Sequence, residues 1–311
     1  MREAAYKVPV STNGVEAMAS LAGLHRGVLS LYLQLLPSAF FGELRRREQL
    51  RRQNNRVYTD AVVMWLMVLQ RLLGRGTLET AVATVVGGLP NDFWPRPCKR
   101  LQTSGGSAAQ LSSNTASYDE ARRGLKLTIV KQSADRVFLE LLERIARPGA
   151  AGQRAAFFVD GSTLRTASSR ALAAAYPPGH NQHRTSHWPV LRMVVAHDLY
   201  SGLAMRPQWG ALNGAHAVSE QSLLEQSLER LPAGCLIVGD RNFGVFSVAY
   251  AAGQRGHPVL LRMTTARAQR LAGGELRDGM DQRIGWTPSR DDRRSHSELP
   301  AEACILGRLI V

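Results

Sequence analysis

Apolar and polar positions change period near the middle of the chain. In the first half apolar residues recur every three to four positions, the spacing of helices with one buried face. Leu29 to Phe41 is apolar and carries Pro37, and Ala61 to Leu69 is the longest wholly apolar run. Thr59 and Asp60 are N-cap residues ahead of that run and predict a helix through Leu73, stopped by Gly74 and Gly76. Thr77 opens a second helix that ends at Gly87 and Gly88. Residues 102–116 read as a Ser/Gly/Gln/Asn-rich loop, after which Ser117 and Glu120 form a capping-box pair at the start of a short helix. Val130, Ala134, Val137, Phe138, Leu141 and Ile145 trace the apolar stripe of a longer one. Trp65 falls among core positions and reads as packing. The segment from Pro148 to Gly152 breaks the pattern and is the expected domain boundary.

Beyond it the period shifts to short continuous apolar runs, as in strands buried on both faces. Residues 155–159 form one such run, ending in Asp160-Gly161-Ser162. Residues 190–197 and 203–209 read as two strands joined by a tight turn at 200–202. Ser219 caps a helix with Leu224, Ser227, Leu228 and Leu231 on one face. Cys235 to Val238 is another buried strand, followed by Gly239-Asp240-Arg241-Asn242-Phe243-Gly244. A helix over about 245–255 leads to a last buried strand at 258–263. Residues after 264 read as polar and irregular until the apolar stretch Ile305 to Val311.

Charge sharpens this picture. The 311 residues carry 39 Lys+Arg against 25 Asp+Glu, a net charge of +14. Residues 1–152 hold 21 of the cations and 12 of the acids, so the helical half is the more basic. Lysine occurs only at 7, 99, 126 and 131, and the remaining 35 cations are arginines, whose planar fork suits phosphate. The densest run is Arg45, Arg46, Arg47, Arg51, Arg52 and Arg56, and Arg122, Arg123 and Lys126 form a second group. A chain-wide excess of this kind predicts a polyanionic partner, DNA or RNA. The apolar runs are too short for a bilayer, which needs about 20 residues. No signal pattern opens the chain, so a soluble, cytoplasmic protein without membrane attachment is expected. Cys98, Cys235 and Cys304 show no CxxC spacing, which excludes a disulfide scaffold or cysteine zinc cluster as the organising principle.

Two aspartates, Asp160 and Asp240, each close a buried strand. If those strands are neighbours, both carboxylates leave the same edge of the sheet and repel one another unless a cation lies between them. Divalent Mg²⁺ or Mn²⁺ with oxygen ligands answers that need and suits phosphodiester chemistry. Either aspartate alone would be read as capping a turn.

The block from Phe158 to Leu164, the block from Ile237 to Phe243, and their order in the chain resemble the first two catalytic blocks of DDE transposases of the insertion-sequence-four family. Residues 112–145, with Ser117 to Arg122, resemble the end of that family's N-terminal region. The resemblance covers about residues 20 to 263. It implies an α/β fold: a ribonuclease-H-like mixed sheet with flanking helices, preceded by an all-α N-terminal DNA-binding domain (1–150) and followed by an incomplete strand-rich insertion (265–311), with the catalytic core at 151–264. It implies Asp160 and Asp240 as metal-ligating catalytic acids and Arg241 against substrate phosphate. It further implies a transposase of an insertion sequence that binds double-stranded transposon ends, as a homodimer in a synaptic complex, and cleaves and joins strands with Mg²⁺ or Mn²⁺. Arg45, Arg46, Arg47, Arg51, Arg52, Arg122, Arg123 and Lys126 are then the DNA-binding candidates.

The sequence departs from the family at the third acid, which should lie on a helix carrying Tyr-x2-Arg-x3-Glu-x6-Lys. No tyrosine follows Tyr250, Gly253 stands where the arginine belongs, and Glu275, Glu298 and Glu302 lie in polar sequence. A C-terminally truncated copy, inactive or impaired alone, is the expectation. A phosphatase with an aspartyl nucleophile is excluded because Phe158 occupies the position two residues before Asp160. A non-enzymatic DNA-binding protein and a nuclease acting on RNA–DNA hybrids stay open. His180, His183, His187 and His216 read as a polar loop near the acids rather than a zinc site. His197 and His257 read as hydrogen-bonded structural residues.

Overall fold

Pro37 sets the first break in the fold. The computed structural model describes residues 27–53, 56–74, 76–102, 111–145, 154–179 and 186–311. The stretch 27–47 is long and apolar enough by composition to cross a membrane. It is nevertheless two helices, α1 (27–35) and α2 (Ser38–Arg47), because extended backbone at Pro37 interrupts them. The chain divides into two compact units, one ending at Glu140 and one spanning Leu141–Val311. The expected boundary at 148–152 and most of the 102–116 loop lie outside the described residues.

The helical unit is built on α3 (Asp60–Leu72). The Thr59 hydroxyl accepts from the Val62 amide at 3.4 Å and starts that helix as predicted. Val62, Val63, Trp65, Leu66 and Leu69 are buried along it. Trp65 is core, 2% exposed, with the Tyr32 ring centroid 5.3 Å away. Thr77 caps α4 (Leu78–Val86) in the same way. A short helix α5 follows at Lys99–Gln102. The next helix, α6 (Ala116–Arg123), corrects the capping-box expectation. It begins a residue before Ser117, and the Asn114 carboxamide receives the Ala116 amide at 2.8 Å instead. An asparagine two residues upstream reaches the same unpaired helix N–H groups that a serine would have served. α7 (Leu127–Arg144) turns Ile129, Ser133 and Phe138 inward; Phe138 belongs to the predicted stripe, whereas Ile129 and Ser133 each lie one position before its Val130 and Ala134.

The second unit carries a five-stranded mixed sheet in the order β3-β2-β1-β4-β5. Its strands are β1 (Ala156–Arg165), β2 (Val190–Asp198), β3 (Gln208–Ala211), β4 (Leu236–Gly239) and β5 (Val259–Leu261). β1 pairs antiparallel with β2 and parallel with β4, and β4 pairs parallel with β5. Three antiparallel strands followed by two parallel ones in this order make a ribonuclease-H-like fold. A short helix, α8 (Arg170–Ala175), lies between β1 and β2 in the chain. α9 (Glu220–Glu225) and α10 (Phe246–Gln254) supply the crossovers required by parallel strands. Phe157, Val159 and Ile237 are buried on one face of the sheet, as are Leu223 and Leu224 of α9 and Val248 and Ala252 of α10. Each large apolar side chain buried this way contributes about 1.5–3 kcal/mol.

Three expectations need correction here. The antiparallel partner of β2 is 208–211 rather than 203–209. Leu203 and Met205 still bond to Asp198 and Ala196, but Pro207 has no N–H to continue the ladder, and pairing resumes one residue out of register. The helix after Ser219 ends at Glu225, and Leu228 and Leu231 follow in a separate turn. Residues 265–304 are not irregular: they form α11 (Thr265–Ala272), β6 (Asp281–Trp286) and α12 (Arg290–Ser295), and the apolar stretch after them is β7 (Ile305–Ile310). Gly273, at φ +72°, ends α11, and a Ser289–Asp292 capping box starts α12. β6 and β7 pair as a separate two-stranded sheet, with Trp286 and Ala303 packed on Phe246.

Candidate active site

Asp160 is not at the end of its strand. β1 runs on to Arg165, held by β2 along its whole length. Its pairing with β4, however, stops at Val159 opposite Gly239. The next residues on the two strands are Asp160 and Asp240, and both are exposed. Side chains alternate faces along a strand, and neighbouring strands lie about 4.8 Å apart. Phe157 and Val159 pair with Ile237 and Gly239 on the helix-covered face. Asp160 and Asp240 are thus the residues that follow the last paired position of the two central parallel strands, at one end of that pair.

Each is anchored by backbone. The Gly161 amide donates to Asp160 Oδ1 at 2.8 Å, and the Asn242 amide donates to Asp240 Oδ1 at 2.9 Å. Sequence reasoning missed a further carboxylate near these strands, on the face of residue 161 rather than that of Asp160. Glu220, the first residue of α9, places its carboxyl group where a Cβ on residue 161 would stand, so Gly161 is the gap that admits it. The Asn242 carboxamide donates to Glu220, and Gln221 Nε2 reaches Asn242 O at 2.8 Å and Oδ1 at 2.9 Å. The loop after β4 is thus tied to α9 on both sides of Asn242. The only sequence signal for Glu220 was its place beside a helix cap, with nothing linking it to residue 161.

Arg241 is exposed beside Asp240. Glu275 and Glu302 are exposed between elements, and Glu298 lies in a turn where it meets His296 at 3.1 Å. Among the described residues, no group of three or more His, Cys, Asp and Glu side chains is arranged to hold a metal ion. The oxygen donors of Asp160 and Asp240 fit Mg²⁺ or Mn²⁺ in type and charge. His180 and His183 lie outside the described residues. His257 is buried 3.4 Å from Cys235 Sγ, a structural contact, and burial pushes the Cys235 thiol up to about 11.

The basic residues of the helical unit separate into two groups. Arg45 is engaged in the fold: its guanidinium reaches Asp60 at 2.6 Å and the Arg51 carbonyl at 2.8 Å. Arg47 donates to Gln132, and Arg123 pairs with Asp119. Arg46, Arg51, Arg52, Arg122 and Lys126 are exposed.

No family model matches the chain, and no curated protein matches its sequence. Among solved structures it is similar to a piggyBac transposase in a synaptic complex with hairpin DNA, at 11% identity and a TM-score of 0.32. The match covers 77% of this chain and 52% of that one, so this chain spans about half the length of the transposase chain. Likeness at that level adds nothing to the fold assignment, which rests on strand order and register.

Proposed function

We propose that this chain is a DNA strand-cleaving and strand-transferring protein of the DDE transposase type, with Asp160 and Asp240 as its first two acids. The register of the central strands supports this reading. Val159 opposite Gly239 brings Asp160 and Asp240, the next residues on the two strands, to the same end of the central parallel pair. Asp160 and Asp240 would hold Mg²⁺ or Mn²⁺, which when bound lowers the pKa of an attacking water or 3′-hydroxyl and stabilises the leaving oxygen. Arg241 offers its guanidinium to the scissile phosphate from the position next to Asp240. Glu220 and Gln221 fix Asn242 and so hold the Asp240 loop in place against the end of β1.

Two acids in place of three weaken metal affinity and in-line geometry, so cleavage by this chain alone is expected to be slow. A non-catalytic DNA-binding protein is the second reading, favoured by the lack of a three-ligand group among the described residues. Purified protein incubated with terminal-repeat DNA and Mg²⁺ tests both. The expected result is DNA binding with slow nicking that Asp160→Ala and Asp240→Ala each abolish while binding is kept. Nicking unchanged in both variants would overturn the role of the acids, and no binding at all would overturn DNA as the partner.

A further inference from the structure

We propose that the β1–β2 ribbon beyond the acid pair is a platform for unpaired DNA, with Trp188 stacking on a base and Arg165 and Arg170 holding phosphates of the same strand. The proposal rests on the reading of DNA as the partner and names the form in which a strand meets this part of the molecule.

Residues 161–197, between Asp160 and Asp198, contain no Asp or Glu in a chain that carries 25 of them. Histidines apart, their charged side chains are all arginines. The stretch that follows the first acid is therefore cationic throughout, which suits a polyanion.

Past Val159, β1 is paired with β2 alone, as far as Arg165 opposite Val190. The two chains stay together beyond that last pair. The Thr166 amide donates to the Pro189 carbonyl at 2.9 Å, and the Ser168 hydroxyl meets the His187 carbonyl at 3.5 Å. Trp188 and Arg165 thus stand at the same end of the ribbon, and Arg170 opens α8 two residues after Ser168. At about 3.4 Å per residue, Arg165 lies about 17 Å along β1 from Asp160. A strand leaving the acids covers that span in a few nucleotides.

Trp188 is 47% exposed, whereas Trp65, Trp94 and Trp286 are buried and Trp209 donates to Tyr176 Oη at 3.1 Å. The His187 ring lies 5.3 Å from the indole at 84°, which occupies at most one of its faces. The remaining face is open to a base, and stacking of this kind tolerates any sequence. Within a duplex the base faces are already covered by their neighbours, so the contact selects unpaired DNA. Arg192 is committed to the Val218 carbonyl at 2.7 Å. Arg165 and Arg170, in contrast, are exposed and make no hydrogen bond or ion pair among the described residues.

The platform is fixed before a strand arrives. The Trp188 amide donates to Ser186 Oγ at 3.4 Å, and the Ser186 amide to the Gly179 carbonyl at 2.7 Å. Asn213 Nδ2 holds the Pro177 carbonyl at 3.3 Å. An aromatic ring so placed loses little ordering entropy on binding.

Fluorescence anisotropy of the full chain with a labelled single-stranded oligonucleotide, and with a duplex of the same sequence, tests the platform. Trp188→Ala should raise the single-strand Kd at least about fivefold, the lower end of what one base–aromatic stack contributes, and leave the duplex Kd within about twofold. Trp188→Phe should keep most of the single-strand affinity. Arg165→Gln with Arg170→Gln should lower the log–log salt slope on the single strand by about 1.4, at about 0.7 per phosphate contact. Arg277→Gln with Arg283→Gln, exposed positions elsewhere in the unit, make the same charge change and should leave that slope in place. An unchanged single-strand Kd in Trp188→Ala, an equal loss on single strand and duplex, or an unchanged slope in the Arg165 and Arg170 variant overturns the platform. If the alanine variant fails to fold, Trp188→Leu, apolar but without a π-face, is read by the same criteria. Unaltered protein that binds duplex but no single strand defeats the platform alone, whereas protein that binds neither defeats DNA as the partner.

Discussion

Breaking the Arg45–Asp60 pair should cost the helical unit about 3 kcal/mol. Asp60 is 4% exposed, and its carboxylate takes Arg45 Nη1 at 2.6 Å and Gln53 Nε2 at 3.0 Å. Asp60→Ala removes both and strands a guanidinium whose side chain is 17% exposed, left with the Arg51 carbonyl at 2.8 Å. Losing one partner of a buried pair costs about 3–5 kcal/mol. The residual exposure of Arg45 lets water recover part of that, which puts the cost at the lower end. Replacing both, as in Arg45→Met with Asp60→Leu, removes the uncompensated charge and should be nearly neutral. A cycle built from Arg45→Met, Asp60→Leu and their combination, with each single costing about 3 kcal/mol, should therefore show a coupling of about 6 kcal/mol. Urea unfolding followed by far-UV circular dichroism gives each value. Single variants that cost less than about 1 kcal/mol and simply add would refute the pair as a structural lock. They would also return Arg45 to the list of DNA contacts.

Two further outcomes follow from the second unit. A Cβ in Gly161→Ala would overlap the Glu220 carboxyl, which can swing aside at the loss of its Asn242 contact, so the cost should be about 1 kcal/mol. The same substitution should cost almost nothing once Glu220 is alanine, and an undiminished cost in that background would remove Glu220 as the cause. Glu225 is pushed above the ordinary carboxylate range by burial, with His296 opposing, and its Oε1 is buried without a partner. A raised folded pKa gives stability that is present at acid pH and lost as pH rises through that pKa. Glu225→Gln should therefore be more stable than the unaltered protein at neutral pH, the gap closing as pH falls toward the ordinary value of about 4.3. Urea midpoints across that range check it, and a constant gap at every pH would contradict the assignment.

Local rules carried much of this fold. Thr59 and Thr77 marked helix starts because an N-cap is set by residues within three positions of it. The buried strands at 156–159 and 236–239 were visible as apolar runs, and with them the positions of Asp160 and Asp240. What escaped the sequence depended on distant partners. The extension of β1 through Asp160, Gly161 and Ser162 is held by β2 residues more than thirty positions away, so a stretch that reads locally as a turn becomes strand. Pro207 moved the next strand, because a missing donor matters only once a ladder exists to interrupt. Elements α11, β6 and α12 were read as irregular because their apolar positions are few: Ala268 and Ile284 make a small cluster with Leu309 of β7. Arg45 shows the same limit from the side of charge, since a run of arginines carries no sign that one of them will meet Asp60.

The unequal lengths of the central strands are what make the acid pair accessible. β1 continues six residues past the point where β4 ends, so its later half is paired on one side only. Into the space beside that half come the Asp240 loop and the Glu220 carboxyl. Gly239 is the pivot. A Cβ there would lie 3.0 Å from Leu261 Cδ2 and from Phe243 Cβ, and 3.3 Å from Val159 Cγ2. The missing side chain lets Phe243 fold back over the strand end and bury to 1% exposure. That closure puts the Asn242 amide on Asp240. The separation of Asp240 from Asp160 is thus fixed by a glycine, a buried phenylalanine and strand register. Both carboxylates stay exposed above the packed core.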